Sequence, residues 1–499
     1  MAEQTGLFTL PGDGVARLRG VLDDAGFTAE AFAAVDAERL LKYGRRMAEI
    51  VVSRTAASGR LPTLVRLLIG LVAVDEEEAR AAFAPVALED LLAARLLERS
   101  PGGIRSCVQV RHVHGMIVAA DPEHSFTGRP LADDQVMGVS YSTDFLARIT
   151  DRTPAGRALD LGTGCGLQAL LLRRHADRVV ATDVTPRAVA MAGFNARLNG
   201  IEGIELRLGD MFEPVTGELF DLIVSNPPFI IAPAVSTRFL SAGLDADELM
   251  ARMAGAAPRH LVPGGRAHFL GNWIVPDDGA WEARVAPWFE DSGCDVTVLT
   301  FAVTAPDEYA ADWILPEVAD PHLYSATYER WMRWYQAHGV GGVAFGMVTM
   351  QRRQDGASSL RLHTPPLRYM EMDGNDLQAA LALGRWVGAV DDDEFLASRL
   401  VPAPALRSGH ERHLRSGDWV TAQSALFVED GFSGPMQSDV HAERLVARCD
   451  GRRTVADLLA LMAADVERPI EEVVARTLPA VRNLVERGLL LPAGPPANA

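Results

Sequence analysis

The chain has 499 residues, 48% of them hydrophobic and 23% charged, enough for two or three globular domains with ample cores. Its net charge of −18 excludes broad nonspecific attraction to nucleic acid, which needs cationic surface, while leaving room for a local basic groove. Lys42 is the single lysine among 48 basic residues, a bias that reflects genome composition and is not a phosphate signal.

The longest apolar run, Leu64 to Val74, contains Arg66 and is too short to span a bilayer, so no membrane partner is expected. Met-Ala-Glu-Gln-Thr at the start lacks the basic flank of a signal peptide, and a cytoplasmic protein is expected. Cys107, Cys165, Cys294 and Cys449 show no paired spacing, which suggests neither a disulfide framework nor a zinc site and fits a reducing cytosol.

Residues 1–120 form a first, mainly helical domain. Apolar residues recur at helical spacing over Met47–Thr55 and Leu64–Leu71, and two short helices follow at Asp75–Ala84 and Leu88–Leu97. Ile104–Val110 and Val113–Ala119 alternate like the strands of one hairpin, giving a winged-helix-like order. The acidic run Asp75–Glu78 favours protein packing or substrate guidance over DNA binding for this region. His112 and His114 sit two apart on a predicted strand with no further ligand in view, so no metal is expected. Asp121–Pro130 reads as a linker. Tyr141 and Ser142, ahead of a short helix, are candidate substrate-facing residues, the alternative being a simple helix N-cap at Ser142 or Thr143.

A second domain, 134–355, alternates strands and helices. The strand Arg157–Leu161 breaks into Gly162-Thr163-Gly164-Cys165-Gly166, and a helix opens at Leu167. Glycine has no Cβ, so backbone in such a turn can approach a ligand closely at a helix N-terminus. A second strand, Arg178–Thr182, ends on Asp183, where an acid can accept from both hydroxyls of a ribose or cap the helix after Thr185-Pro186. A third, Ile204–Leu208, ends at Gly209-Asp210, either ordinary turn chemistry or a carboxylate within reach of an adenine amino group. A fourth, Asp221–Ser225, runs into Asn226-Pro227-Pro228-Phe229.

An amide or aromatic amine nitrogen is a poor nucleophile because its lone pair is delocalised. Acceptors aimed at its N–H bonds, the Asn226 side-chain oxygen and the Pro227 carbonyl, would draw it toward tetrahedral geometry. Consecutive prolines stiffen the turn, and Phe229 offers a flat apolar face. The bland alternative for Asn-Pro-Pro is a strand-ending turn.

From Asp134 to Arg352 the chain resembles a class I S-adenosylmethionine-dependent methyltransferase, and Asn-Pro-Pro-Phe resembles the signature of its amino-methylating branch. Members methylate planar nitrogens of release-factor glutamines, exocyclic adenine amines and rRNA guanines. The resemblance implies an α/β fold, a seven-stranded Rossmann-like core with its last strand antiparallel. It implies S-adenosyl-L-methionine as cofactor, held by Asp160, Gly162, Thr163, Gly164, Gly166, Asp183, Asp210 and Asn226. Asn226, Pro227 and Phe229 would be catalytic, and Tyr141, Ser142 and Pro228 would meet the substrate. Asp160 would either shape the loop or meet the methionine amino group, and Cys165 is a small filler. The acidic charge favours a protein, peptide or small-molecule acceptor. An exocyclic amino group of RNA or DNA is the alternative within enzymes, and a non-catalytic scaffold the alternative outside them.

After Phe229 the pattern predicts helices over Asp245–Leu261 and Ala280–Ser292. It predicts strands over Ala267–Leu270, Val296–Val303 and Gly342–Gln351. Between the last two, an insertion from Thr304 to Val340 carries Tyr309, Trp313, Tyr324, Tyr328, Trp331, Trp334 and Tyr335. Tyr324, Tyr328, Trp331 and Tyr335 share one helical face, which either packs the helix or walls the substrate entrance. A third domain, 368–499, holds the solvated charge run Asp391–Glu394, a strand or hairpin at Asp418–Val428, and helices at Val440–Ala447, Thr454–Met462 and Ile470–Arg487. It is loosely similar to small winged-helix modules that bind leader peptides, though an intramolecular packing domain is the reading preferred.

Overall fold

The computed structural model describes residues 6–34, 46–55, 58–122, 124–127, 132–233, 247–314, 321–363, 372–429 and 434–494. The chain forms two compact units, one of residues 1–147 and 152–362, the other of 148–151 and 363–499.

The first unit is built on an eight-stranded sheet. Its strands, in chain order, are β1 Ala155–Leu161, β2 Ala176–Asp183, β3 Ile204–Leu208, β4 Phe220–Ser225, β5 Leu261–Pro276, β6 Cys294–Thr304, β7 Val340–Arg352 and β8 Ser359–His363. They lie in the order β3-β2-β1-β4-β5-β7-β6-β8. Strands β3 to β5 pair in parallel, whereas β7 is antiparallel to both β5 and β6. The expected antiparallel last strand of the core is therefore present. The sheet also has an eighth strand that the sequence pattern does not show. Ser359–His363 is short and only half-buried, so its alternation is weak and it sits at an edge.

Central strands read as continuous apolar runs because both faces are covered. Leu222, Ile223 and Val224 of β4 are each 0% exposed. Helices α1 Tyr141–Ile149, α2 Leu167–Leu172, α3 Pro186–Leu198, α4 Glu248–Ala256, α5 Pro306–Ile314 and α6 Pro321–Ala337 accompany the sheet. The helix expected over Ala280–Ser292 is shorter: it ends at Val285, and a 3₁₀ turn carrying Pro287 follows. That expected from Asp245 starts at Glu248 and gives way at Ala257 to a turn carrying Pro258; Asp245 and Ala246 lie outside the described residues.

Residues before Asp121 pack into the same unit. The single expected hairpin is two hairpins, Leu97–Ser100 with Gly103–Ser106 and Gln109–Val113 with Met116–Ala120. The break falls at Ser106, whose hydroxyl donates to the Val108 carbonyl at 2.6 Å and closes a local turn. Leu97 is accordingly a strand residue, the helix before it ending at Ala93. His114 lies in the second turn with φ 49°, off the strand that carries His112, and its Nε2 is 2.9 Å from Asp144. Asp121 is not part of a linker: it is buried, accepts from the Val136 N–H at 2.8 Å and pairs with Arg187. The rest of that linker is described only at residues 122 and 124–127.

Asn195 on α3 and Asn199, just past the end of α3, lie one helical turn apart and fasten the second hairpin to the core. Asn195 accepts from the Ala119 N–H and donates to its carbonyl, and Asn199 does the same for Ile117, all at 2.7–2.9 Å. They replace the ladder partner that this strand edge lacks. Asn195 also donates to the Cys165 carbonyl at 2.7 Å, joining hairpin and glycine turn.

The second unit contains helices Gly374–Ala389, Asp392–Ala397, Val440–Ala447, Val455–Val466 and Ile470–Glu486, with a three-stranded sheet of Leu406–Arg415, Asp418–Val428 and Met436–Ser438. Asp391 is exposed, as a charge run implies, and it also caps its helix by accepting from the Glu394 N–H at 2.8 Å. Thr454 and Asp457 form a reciprocal capping box. Among the described residues no helix is long and apolar enough to cross a membrane.

Candidate active site

The tips of β1, β2 and β4 bring the glycine turn, Asp183 and Asn226 together at the C-terminal end of the parallel strands. Leu161 and Ser225 are register partners, each the last strand residue before its motif, and the Ser225 hydroxyl donates to the Leu161 carbonyl at 2.7 Å. That buried bond ties the two motif roots together.

Gly162, Gly164 and Gly166 have φ of 72°, 53° and 87°, which L side chains rarely adopt. Their surroundings separate them. A Cβ on Gly162 or Gly164 would meet nothing within 4 Å, whereas one on Gly166 would lie 2.9 Å from the Ala192 Cβ of α3. The third glycine therefore serves close packing, and the first two leave open space beside bare backbone. The Gly162 and Thr163 amides both donate to the Thr182 carbonyl, at 2.9 and 2.8 Å. Asp160 is buried; its Oδ2 accepts from the Thr163 hydroxyl at 2.6 Å and from the Ala169 N–H at 3.0 Å. Burial pushes its carboxyl up to about 7, against the pull of those two bonds. The carboxylate thus shapes the loop and caps the first turn of α2. Burial also pushes the Cys165 thiol up to about 11, leaving it an inert filler.

Asp183 does two local jobs. Its Oδ2 accepts from the Gly164 N–H at 3.0 Å, and its Oδ1 accepts from both the N–H and the hydroxyl of Thr185 at 2.9 Å, at the mouth of α3. Asp210 is exposed beyond β3, its carbonyl accepting from the Glu213 N–H at 3.0 Å.

Asn226 is half-tethered. Its Nδ2 donates to the hydroxyls of Thr143 at 3.1 Å and Ser142 at 3.3 Å, both on α1, while Oδ1 is buried with no hydrogen-bond partner among the described residues. A buried acceptor left open is rare and calls for an explanation. Ser140, just ahead of α1, supplies the capping contact: its Oγ accepts from the Thr143 N–H at 3.3 Å and lies 3.0 Å from the Ser142 and Thr143 hydroxyls. Gln168 of α2 donates to the Thr143 carbonyl at 2.9 Å and holds α1 against the glycine turn. Pro227 is buried, with Pro228 and Phe229 half-buried.

Phe229 ends a line of rings. Tyr141 stacks on Phe145 at 6.3 Å, Phe145 meets Phe301 edge-on at 5.1 Å, and Phe301–Phe345 and Phe345–Phe229 centroids are each 6.0 Å apart. Sequence reading missed Phe145, Phe301, Phe345 and Ser225, and it took Thr143 only as a possible helix cap. Only Ser225, the residue preceding the motif, carried a local signal. In the insertion, Trp331 and Tyr335 are each 1% exposed and join Tyr309 in a core with Ile230 and Ile231, while Tyr324 and Tyr328 stack half-buried at its margin. The shared helical face is thus chiefly packing. Among the described residues no group of His, Cys, Asp or Glu could hold a metal ion.

The family described as methyltransferase small domain matches residues 137–277, which contain all of these motifs. Over those residues the chain is similar to a methyltransferase domain. Residues 379–492 match a domain of unknown function (DUF7782). The chain is 36% identical over 148 residues to the release factor glutamine methyltransferase of Xylella fastidiosa, covering 27% of this chain and 51% of that protein. It is 29% identical over 143 residues to the ribosomal RNA small subunit methyltransferase C of Alcanivorax borkumensis, covering 29% and 38%. The chain therefore spans about half the length, or less, of these relatives. The crystal structure of a ribosomal protein L11 methylase from Lactobacillus delbrueckii subsp. bulgaricus matches 40% of this chain and 72% of its own at 18% identity and a TM-score of 0.24, a likeness too slight to bear on the site.

Proposed function

We propose that the chain is an S-adenosylmethionine-dependent N-methyltransferase acting on a planar amide or amino nitrogen of a protein, peptide or small molecule. The observation that carries this reading is the Asn226 amide, with Nδ2 tied to α1 and Oδ1 buried without a donor. An N–H of the acceptor group is the donor that oxygen lacks.

The residues present suit the cofactor. Open space beside Gly162 and Gly164 admits a ligand against bare backbone, and Thr163 carries its loop amide between them. Asp183, already anchored to Gly164, would hold the ribose, and Asp210 the adenine. Asp160 keeps the turn in shape, and Gly166 locks it to α3. When bound, S-adenosylmethionine supplies an electrophilic sulfonium methyl. The chain's own part is to bind and orient. Asn226 Oδ1 and the Pro227 carbonyl would accept the acceptor's N–H bonds, Pro228 would keep the corner stiff, and Phe229 would lie along the planar group. Such preorganisation matters most for a nitrogen whose lone pair is delocalised. Tyr141 and Ser142 flank the entrance, Ser142 acting through Asn226. Residues 1–120 and 368–499, both winged-helix-like in their order of helices and hairpins, are assigned the choice of acceptor. Four cysteines, all free thiols, suit a cytoplasmic enzyme.

A second reading, an exocyclic amino group of RNA, is favoured by the likeness to a ribosomal RNA methyltransferase. Steep salt dependence of RNA binding would support it. The deciding test is Asn226→Ala, measured by tritiated-methyl labelling of an extract from cells lacking this chain, fractionated into protein, nucleic acid and metabolites. Labelling should fall about 10²–10³-fold, as for loss of one preorganised polar contact, while donor affinity by calorimetry stays within a few-fold. Undiminished labelling would remove Asn226 from the reaction.

A further inference from the structure

Beyond Phe229 the chain leaves the sheet with its backbone still buried, and Ile231 is 0% exposed. A buried peptide outside a ladder must find partners for its N–H and its C=O. Ile231 finds both on the insertion between β6 and β7. Its N–H donates to the Tyr309 phenol of α5 at 3.3 Å, and its carbonyl accepts from the Tyr335 phenol of α6 at 2.8 Å. Tyr309 is itself held from β5. The Asn272 side-chain oxygen accepts the Tyr309 proton at 2.6 Å, and its amide nitrogen donates to the carbonyls of Gly271 and Ala344 at 3.2 and 3.3 Å. Both rings are buried, and burial pushes both phenols above their ordinary values, so they act as neutral hydroxyls.

We propose that Tyr309 and Tyr335 are positioning residues, which grip the Ile231 peptide and so fix Pro228 and Phe229 relative to the Asn226 amide. The inference rests on the methyltransferase reading above. Pro227 and Pro228 stiffen the near side of the corner, and Phe229 makes a single β-bridge. Past that bridge the far side is held at the Ile231 peptide, two residues beyond Phe229. Slack there would let the Phe229 ring drift from the acceptor plane, and sites of this kind tolerate only about 0.5 Å of drift before rate is lost. Neither phenol touches the acceptor. They act through the backbone they hold, and the insertion becomes a support for the site in addition to a core.

Hydroxyl and ring contribute separately, so Tyr335→Phe and Tyr309→Phe in the full chain keep the packing and remove the grip. Donor affinity by calorimetry should stay within twofold of the parent. The rate of tritiated-methyl labelling of the same extract at saturating donor should fall at least tenfold. Amide exchange in the peptide containing Ile231 should quicken. A packing role alone would lower Tm and leave the rate per donor-binding molecule unchanged, and that result overturns the proposal. Should one variant fail to fold, the other carries the same three readouts. A parent that labels nothing overturns the methyltransferase reading and this inference with it. A parent that labels, with both variants labelling at its rate, overturns this inference alone.

Discussion

The glycine turn and the asparagine corner lie on neighbouring strand tips, yet they are finished to different degrees. Around the turn, the chain satisfies itself. Thr182 takes the Gly162 and Thr163 amides, Asp183 takes that of Gly164, and Asp160 takes the Thr163 hydroxyl and the Ala169 amide. At the corner, one end of the Asn226 amide is tethered and the other is buried and open. An unmet buried acceptor costs about 1–3 kcal/mol in the resting protein. The turn is a preformed surface against which a ligand can lie; on the proposed reading, the corner would be completed by a donor from outside. On the proposed reading, a cofactor shelf and an acceptor clamp would differ in this way, since a clamp must hold its strongest contact in reserve for the reacting group.

The sharpest way to break that contrast lies within the turn. Gly166→Ala places a Cβ 2.9 Å from Ala192 in a left-handed conformation, so overpacking adds to backbone strain. A loss of about 2–4 kcal/mol in urea unfolding is expected. Gly164→Ala meets open space, so only the backbone cost of about 1–2 kcal/mol applies, while donor affinity should drop more than stability. Equal stability losses at the two positions would show that the turn has no ligand-facing side.

Asp160 gives the turn a pH signature that the corner lacks. Burial raises its carboxyl to about 7, so the folded state holds the proton more tightly than the unfolded chain does. Its contribution to stability is therefore fully present below about pH 4 and is lost as pH rises toward 7. Asp160→Asn has no titrating group there. Between pH 5 and pH 8 the parent should lose roughly 2–3 kcal/mol relative to this variant in paired denaturation curves. Parallel curves would mean that the buried carboxyl is ionised throughout.

Asp183 tests whether a residue with local duties also serves a ligand. Asp183→Ala removes its bonds to Gly164 and Thr185, and donor affinity should weaken by about 1.5–3 kcal/mol if the carboxylate holds the ribose. Asp183→Asn retains one acceptor oxygen and should fall between. Affinity unchanged in both would reduce Asp183 to a helix cap.

The turn was readable in the sequence because its signals are local. Three glycines after an apolar strand, an acid at the end of the next, and Asn-Pro-Pro after a fourth each declare a backbone constraint within a few residues. The corner's supports were not readable, because each comes from elsewhere in the chain. Thr143 lies 83 residues from Asn226, and Tyr335 lies 104 from Ile231. Nothing in a tyrosine spaced for helix packing says that its hydroxyl will find a peptide. The same applies to Asn195 and Asn199, whose helical spacing is legible but whose role as a substitute strand is visible only once a hairpin edge arrives beside them. β8 escaped for a different reason: a half-buried edge strand has too little alternation to announce itself.

The smallest expected effect bears most directly on how the corner is held. Thr143→Val preserves the shape of the side chain and removes the hydroxyl that accepts from Asn226 Nδ2 at 3.1 Å. Ser142, at 3.3 Å, is left as the remaining tether. One neutral hydrogen bond contributes about 0.5–1.5 kcal/mol, so methyl transfer should slow by roughly 2- to 12-fold. Donor affinity should stay unchanged, because the valine sits on α1 and the turn keeps its own bonds. Thr143→Val combined with Ser142→Ala should slow transfer more than the product of the single effects, since the amide then loses both restraints and can rotate its oxygen away. Transfer at the parent rate in both single variants and in the pair would mean that Asn226 is oriented by the prolines alone, and that α1 contributes only packing to the corner.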